Sequence, residues 1–249
     1  MAYVLKTEGL TRRFSGFTAV NNVSIEIPEG GVRTIIGPNG ADKTTFFNLL
    51  SGRIPPSEGR IWFGEREITA LQPYERARLG MARSFQITNI FGHLSVYENV
   101  RLGVQAVYDG RANFFMPASR MGDMSVKTNE LLNDVGLYAA RDSRAENLSH
   151  GDQRRLEIAL VLASDPKVLL LDEPLAGMSP TETHETVDLI QRISPGRTIM
   201  LVEHDIDVVM AISTTITVFQ TGAVLATGTP QEIRANEAVQ RAYLGELAD

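Results

Sequence analysis

Apolar and polar positions alternate over residues 23–27, where Val23, Ile25 and Ile27 are separated by Ser24 and Glu26. A period of two puts every second side chain on one face, so this run predicts a half-buried strand. Residues 32–36, with Val32, Ile35 and Ile36, predict a more deeply buried strand. Gly37 and Pro38 stop it, a helical pattern follows over 44–50, and Gly52 closes that helix. Residues 59–63 predict a further strand. From about 87 to 164 the periodicity is that of helices, with a looser insert around 108–125 marked by Gly110, Pro117 and Gly122. A continuous apolar strand at 167–171 comes next, then a helix at 181–193, a strand at 198–202 and a helix at 206–212. A hairpin over 216–228 and a short tail helix complete the pattern. Strands alternating with helices predict a parallel sheet with helices on its faces. The early strands, within 3–30, add a small antiparallel region, and the helical stretch reads as a lobe inserted into an α/β core.

Composition narrows the class. The 249 residues are 43% hydrophobic and 22% charged, enough apolar material for one large α/β domain or two lobes sharing a core. The net charge of −6 argues against general nucleic-acid binding. The absence of cysteine excludes disulfides, cysteine zinc sites and thiol nucleophiles. The first ten residues lack the basic and apolar regions of a secretory leader. The longest apolar runs, such as 158–163 and 168–171, are far too short to span a bilayer. Any link to a membrane is therefore expected to go through a partner protein.

The segment after the strand at 32–36 carries the first candidate chemistry. A phosphate-binding loop has the pattern G-x-x-x-x-G-K-[ST], in which consecutive backbone N–H groups curl round the phosphates with a helix N-terminus behind them. The chain reads Gly37, Pro38, Asn39, Gly40, Ala41, Asp42, Lys43 and Thr44, with Asp42 where the second glycine belongs. In this pattern Lys43 reaches the β- and γ-phosphates, the Thr44 hydroxyl ligates Mg²⁺, and Thr45 helps hold the α-phosphate side. Asp42 pulls two ways. A carboxylate at a helix N-terminus is favourable by roughly 0.3–1 kcal/mol, so it is expected to stand in for the phosphate in an empty loop. Against a triphosphate it is repulsive, because two unit charges about 4 Å apart repel by about 4 kcal/mol at an effective dielectric near 20. Its Cβ also crowds N–H groups that need close approach.

The apolar strand at 167–171 ends in Asp172, Glu173 and Pro174. A carboxylate at a strand tip suits Asp172 to hold Mg²⁺ through water, and Glu173 to orient and activate an attacking water. Leu148, Ser149, His150, Gly151, Asp152 and Gln153 form a Ser-x-Gly turn opening a helix, which offers a hydroxyl and clustered N–H groups to a γ-phosphate.

Here the chain resembles the ABC ATPase family, whose signature reads LSGGQ; His150 departs from the commoner glycine. The resemblance implies an α/β, P-loop NTPase core of ABC type with an antiparallel β subdomain and an inserted helical subdomain. The whole chain, 1–249, would be one nucleotide-binding domain, with a core of about 1–86 and 165–249 and a helical subdomain of about 87–164. Within the family Ser149, Gly151 and Asp152 serve the ATP held by the opposite subunit. Gln86, after Ser84 and Phe85, matches the glutamine that touches Mg²⁺ and water and links core to helical lobe. His204 matches the switch histidine that contacts the γ-phosphate, and Phe14 resembles the aromatic that stacks on adenine, with Phe17 as the other candidate.

The likeness covers essentially the whole chain and is greatest to the ATP-binding subunits of branched-chain amino-acid importers. Arg154 to Ala159, Leu171 to Met178, and the tail residues Ala242, Tyr243, Leu244 and Gly245 carry it. It implies a peripheral protein on the cytoplasmic face of the cell membrane, paired with the same or a related ATPase. Integral membrane permease subunits and, indirectly, a substrate-binding protein complete the implied assembly, with no nucleic acid. Soluble ABC proteins of translation or DNA repair usually carry two cassettes or a long coiled-coil insert, and this chain has neither. Two functions remain open: a working ATPase that powers import, and a degenerate cassette, impaired by Asp42, that forms the structural half of an asymmetric pair.

Overall fold

The computed structural model describes residues 3–84, 90–108 and 118–244. Its strands are β1 (Tyr3–Phe14), β2 (Phe17–Pro28), β3 (Gly31–Ile36), β4 (Glu58–Phe63), β5 (Arg66–Glu67), β6 (Met81–Arg83), β7 (Val168–Asp172), β8 (Thr198–Val202), β9 (Thr215–Gln220) and β10 (Ala223–Gly228). Its helices are α1 (Lys43–Leu50), α2 (Pro73–Arg78), α3 (Val96–Tyr108), α4 (Ala118–Asp134), α5 (His150–Leu162), α6 (Pro180–Ile193), α7 (Ile206–Ile212), α8 (Pro230–Ala235) and α9 (Glu237–Leu244). Two compact units are present. The first is formed by the chain through Arg83, Lys167–Glu173 and everything from Ser194 onward. The second is formed by Ser84–Pro166 and Pro174–Ile193.

The first unit holds two sheets. One is antiparallel, in the order β2-β1-β4-β5, and the other has the order β10-β9-β3-β8-β7-β6. In the second sheet β9, β3, β8, β7 and β6 are mutually parallel, and only β10 runs against its neighbour. All five residues of β7 and all five of β8 are buried, as central parallel strands covered on both faces require. Val202 at the end of β8 faces Ile35 on one side and Asp172 on the other. The strands leading to the phosphate loop and to the Asp172–Glu173 pair therefore end level with each other.

The antiparallel strands are longer than alternation alone predicts. β2 begins at Phe17 rather than 23, and its pairing with β1 shifts register between Thr7 and Leu10 and again between Leu10 and Arg12. Each shift breaks the period of two, and Asn22 sits at φ 51 within the strand. The tail forms two helices instead of one. Thr229 and Glu232 make a capping box that starts α8 with Pro230 in its first turn, and Asn236 separates it from α9.

In the second unit α3, α4 and α5 bury Val100, Val104, Leu131, Leu132, Leu156 and Ala159. α4 begins at Ala118, inside the stretch expected to be loose; Gly122 lies within the helix, where a glycine costs about 1 kcal/mol without ending it. The remainder of that stretch, 109–117, lies outside the described residues.

α1, the helix behind the phosphate loop, is fixed at both ends. Phe46, Phe47, Leu49 and Leu50 are wholly buried, and Phe46 meets Phe219 of β9 at 5.1 Å between ring centres. At its C-terminal end the buried Arg76 of α2 donates to the carbonyls of Leu49 (2.8 Å) and Leu50 (2.6 Å), and also to those of Thr69 and Leu71. Burial lowers the Arg76 guanidinium to about 10. Buried carbonyls left without a donor each cost roughly 1–3 kcal/mol, so Arg76→Met is expected to remove about 3 kcal/mol of stability. Urea denaturation checks this as a lower midpoint with an unchanged slope.

Candidate nucleotide-binding site

The phosphate loop leaves β3 at Gly37, where φ is 157 and an added Cβ would lie 2.2 Å from the Phe219 carbonyl. Only glycine fits there. The turn closes through the Ala41 amide donating to the Pro38 carbonyl at 3.1 Å, while Asn39 and Gly40 are exposed. Lys43 donates to the Gly37 and Pro38 carbonyls at 2.6 and 3.0 Å, so its ammonium braces the loop from which it projects.

Asp42 occupies the left-handed region, at φ 62 and ψ 30, as the N-cap of α1. Aspartate tolerates this conformation better than most residues, which lets the loop keep its course without the glycine. Its carboxylate does not stand in for the phosphate as expected. It caps none of the first-turn amides, and Oδ1 instead accepts the Thr45 hydroxyl at 3.0 Å. Left-handed geometry turns the side chain toward Thr45, one turn along the helix. The partly buried Thr44 sits in the first turn, whose N–H groups have no partner within a helix.

The second strand tip brings the carboxylates. Asp172 is buried; its Oδ2 accepts Arg83 Nη2 at 2.9 Å, and its Oδ1 has no hydrogen-bond partner. Arg83 also donates to Asn48 Oδ1 of α1 and to Oγ of its C-cap Ser51, each at 2.8 Å, and so ties Asp172 to the helix behind the loop. Burial lowers the Arg83 guanidinium, and the charge of Asp172 opposes that shift. Glu173 turns sharply off the strand at φ 48, its amide bonded to the Val202 carbonyl at 3.0 Å. His204, two residues past β8 and largely exposed, holds Nδ1 4.0 Å from Glu173 Oε1. Gln86 lies outside the described residues, three positions past β6. Phe14 and Phe17 close the β1–β2 hairpin with ring centres 5.7 Å apart. The Arg12 guanidinium lies 4.7 Å from the Phe14 ring, and Phe17, 57% exposed, is the more open of the two.

In the second unit Ser149 caps α5 by accepting the Asp152 amide at 3.2 Å. Its hydroxyl donates to Oε1 of Glu182 at 3.0 Å, and the Gly151 amide donates to the same oxygen at 3.1 Å. Oε2 of Glu182 accepts the amide and hydroxyl of Ser179 at 3.0 and 2.8 Å. Asp152 pairs with Arg155, which also reaches Glu185 of α6 at 3.2 Å. Neither Arg83 nor Glu182 stood out in the sequence. The spacing of Ser179 and Glu182 fits a capping box, but only the fold shows the other oxygen on the signature.

A strand–turn–helix loop thus lies beside a strand tip that carries two acid residues, and comparisons with known proteins place the chain in a family. A family model described as ABC transporter matches residues 20–176. The chain belongs to the ABC transporter ATP-binding family. A second model, branched-chain amino acid ATP-binding cassette transporter, matches residues 223–249. The high-affinity branched-chain amino acid transport ATP-binding protein LivG of Salmonella typhimurium is 42% identical over 250 residues, covering 98% of each chain. BraF of Pseudomonas aeruginosa, of the same description, is 39% identical with the same coverage. Among solved structures, the ADP conformation of MJ1267, an ATP-binding cassette of an ABC transporter, superposes with a TM-score of 0.86. It is 28% identical and covers 98% of this chain and 100% of its own. The protein is thus an ATP-binding ABC ATPase, and none of its described helices is long and apolar enough to cross a membrane.

Four donors hold the Glu182 carboxyl, led by the Ser179 amide, and lower it from 4.5 to about 2. A lowered carboxyl contributes stability above its unfolded value, and that contribution is lost as pH falls toward its folded value. The difference in melting temperature between the parent and Glu182→Gln is expected to be largest near neutral pH and to shrink from about 4.5 downward. Thermal melts of both proteins between pH 7 and pH 3 check this.

Proposed function

We propose that this ABC ATPase powers an importer of branched-chain or related amino acids, and that ATP closes it head to tail against a second cassette. The common edge at which β3, β7 and β8 end carries the reading, because the phosphate loop, the Asp172–Glu173 pair and His204 follow from it. The cargo rests on the relatives from Salmonella and Pseudomonas, whose names give branched-chain amino-acid transport, and on the matching tail.

The donor set fits Mg-ATP at most positions. Asp172 keeps one buried oxygen without a partner, suited to a magnesium-bound water, and Thr44 supplies a hydroxyl. Among the described residues no three acidic or histidine side chains cluster as a metal cage, and Mg²⁺ carried on phosphates needs only one or two protein ligands. When bound, the ion neutralises charge on the β- and γ-phosphate oxygens. Lys43 exchanges its loop carbonyls for those oxygens. Glu173 accepts the proton of the attacking water, His204 and Gln86 steady the γ-phosphate and its ion, and Phe14 or Phe17 stacks on adenine. Ser149, Gly151 and Asp152 serve the nucleotide of the opposite subunit, which is a second copy or a related chain. Permease subunits anchor the pair at the cytoplasmic face of the membrane, and a substrate-binding protein delivers the cargo.

Asp42 supports a second reading, a cassette with weak turnover that acts as the structural half of an asymmetric pair. It puts a negative side chain at the loop position that the pattern gives to glycine, and it draws the Thr45 hydroxyl to itself. The retained Glu173 and His204 favour the first reading, with one loop position impaired. Asp42→Gly is expected to bind Mg-ATP at least tenfold tighter, and up to about a thousandfold if the like charges meet at 4 Å. Calorimetric titration of both forms measures this, and equal dissociation constants would put Asp42 away from the phosphates. In the Asp42→Gly form, Glu173→Gln is expected to cut turnover by roughly a hundredfold or more with unchanged nucleotide affinity, because it removes the base and keeps the shape. Turnover at the parent rate would give Glu173 another role.

A further inference from the structure

The signature of this chain already holds an anion, supplied from within. Oε1 of Glu182 takes the Ser149 hydroxyl at 3.0 Å and the Gly151 amide at 3.1 Å. A serine hydroxyl has one proton, and the Ser149 oxygen is also accepting the Asp152 amide. That proton goes to Glu182 or to a phosphate oxygen, and it cannot serve both. The Gly151 amide has one proton as well. Gly151 is also what lets an acceptor come so near, since an added Cβ would lie 2.7 Å from Glu182 Oε1.

We propose that Glu182 is an internal surrogate for the γ-phosphate, which keeps the signature donors in place in a lone cassette and must yield its Oε1 position when a partner's nucleotide arrives. The proposal rests on the reading of Ser149 and Gly151 as donors to the opposite nucleotide. The local structure supports both halves of the exchange. A negative group near the N-terminus of α5 compensates the unpaired amides and dipole of that helix, so its turn stays formed without nucleotide. Release does not require α6 to unravel, because Oε2 remains bonded to Ser179 at the start of that helix. Arg155 meanwhile joins Asp152 of α5 to Glu185 of α6, so the two helices keep a link that Glu182 does not supply. The carboxyl, held near 2, is an anion throughout the neutral range, and the exchange replaces one anion with another.

The test is ATP-dependent turnover of the assembled transporter carrying Asp42→Gly, with and without Glu182→Gln. The amide keeps the shape and one acceptor oxygen but removes the charge, and charge-assisted hydrogen bonds are roughly twice as strong as neutral ones. The expected result is an apparent KM for Mg-ATP lowered by roughly three- to tenfold with kcat little changed. A role limited to capping α6 predicts instead a lower melting temperature and lower kcat with no fall in KM, and that result overturns the proposal. Ser149→Ala separates the two layers of the argument. If it damages turnover and Glu182→Gln leaves KM unchanged, only the surrogate falls. If it turns over at the parent rate, the opposite-nucleotide reading falls, and the surrogate with it. In Ser149→Ala the further change Glu182→Gln is expected to lower KM less than it does alone, because the contested donor is gone.

Discussion

The proposed phosphoryl transfer needs groups from distant parts of the chain within a few ångströms of one another, and the register of three parallel strands suits that need. Val202 lies between Ile35 and Asp172, so the segments following β3, β7 and β8 emerge side by side. Adjacent strands lie about 4.8 Å apart, which sets the spacing between the loop, the carboxylates and His204 at about one or two strand widths. A slip of one residue would turn Asp172 to the other face of the sheet. Burial of every residue in β7 and β8 opposes such a slip, because each side chain has a packed neighbour on one face or the other. The core is therefore what aligns the site, and Arg83 adds a tie from β6 to both Asp172 and α1.

Two residues beside this edge sit in the left-handed region without being glycine, Asp42 at φ 62 and Glu173 at φ 48. Each costs backbone energy that the surrounding structure must offset. At Glu173 the bond from its amide to the Val202 carbonyl fixes the turn and throws the side chain off the strand toward His204. At Asp42 the offset is small and local, a single bond from Thr45. The first strain aims the carboxylate proposed to activate the attacking water. The second results from a missing glycine, and the loop keeps its form because α1 is anchored by Phe46, Phe47 and the Arg76 caps rather than by position 42.

The buried parallel strands were legible because their apolar runs are short, unbroken and bounded by glycine, proline or acid residues; the strand at 198–202 and the helix at 206–212 fall where the pattern puts them. The antiparallel strands were only partly legible, since bulges interrupt their alternation. α4 was obscured by Gly122, which a helix tolerates. The phosphate loop, the strand-tip carboxylates and the signature could be read because each is a local spacing. Arg83 could not, because its partners Asn48 and Asp172 lie 35 and 89 positions away. The second bond set of Glu182 was hidden for the same reason, as Ser149 and Gly151 are more than 30 positions earlier. The direction of the Asp42 carboxylate follows from its left-handed backbone, which residue type alone does not disclose.

The ends of the two sheets have a further consequence. One sheet finishes in the two-residue β5 and the other in the three-residue β6. At their opposite margins β2 and β10 come together, where the Asn21 amide bonds to the Gly222 carbonyl at 2.8 Å and Gly222 is needed because a Cβ would strike the Ala19 carbonyl. Strand stubs offer too few unpaired amides to template another chain. Association by ladder extension is thus disfavoured at both short margins, which leaves side-chain and loop surfaces to mediate contact. Under the proposed ATP-driven closure, contacts of that kind form and separate without a backbone ladder to unzip.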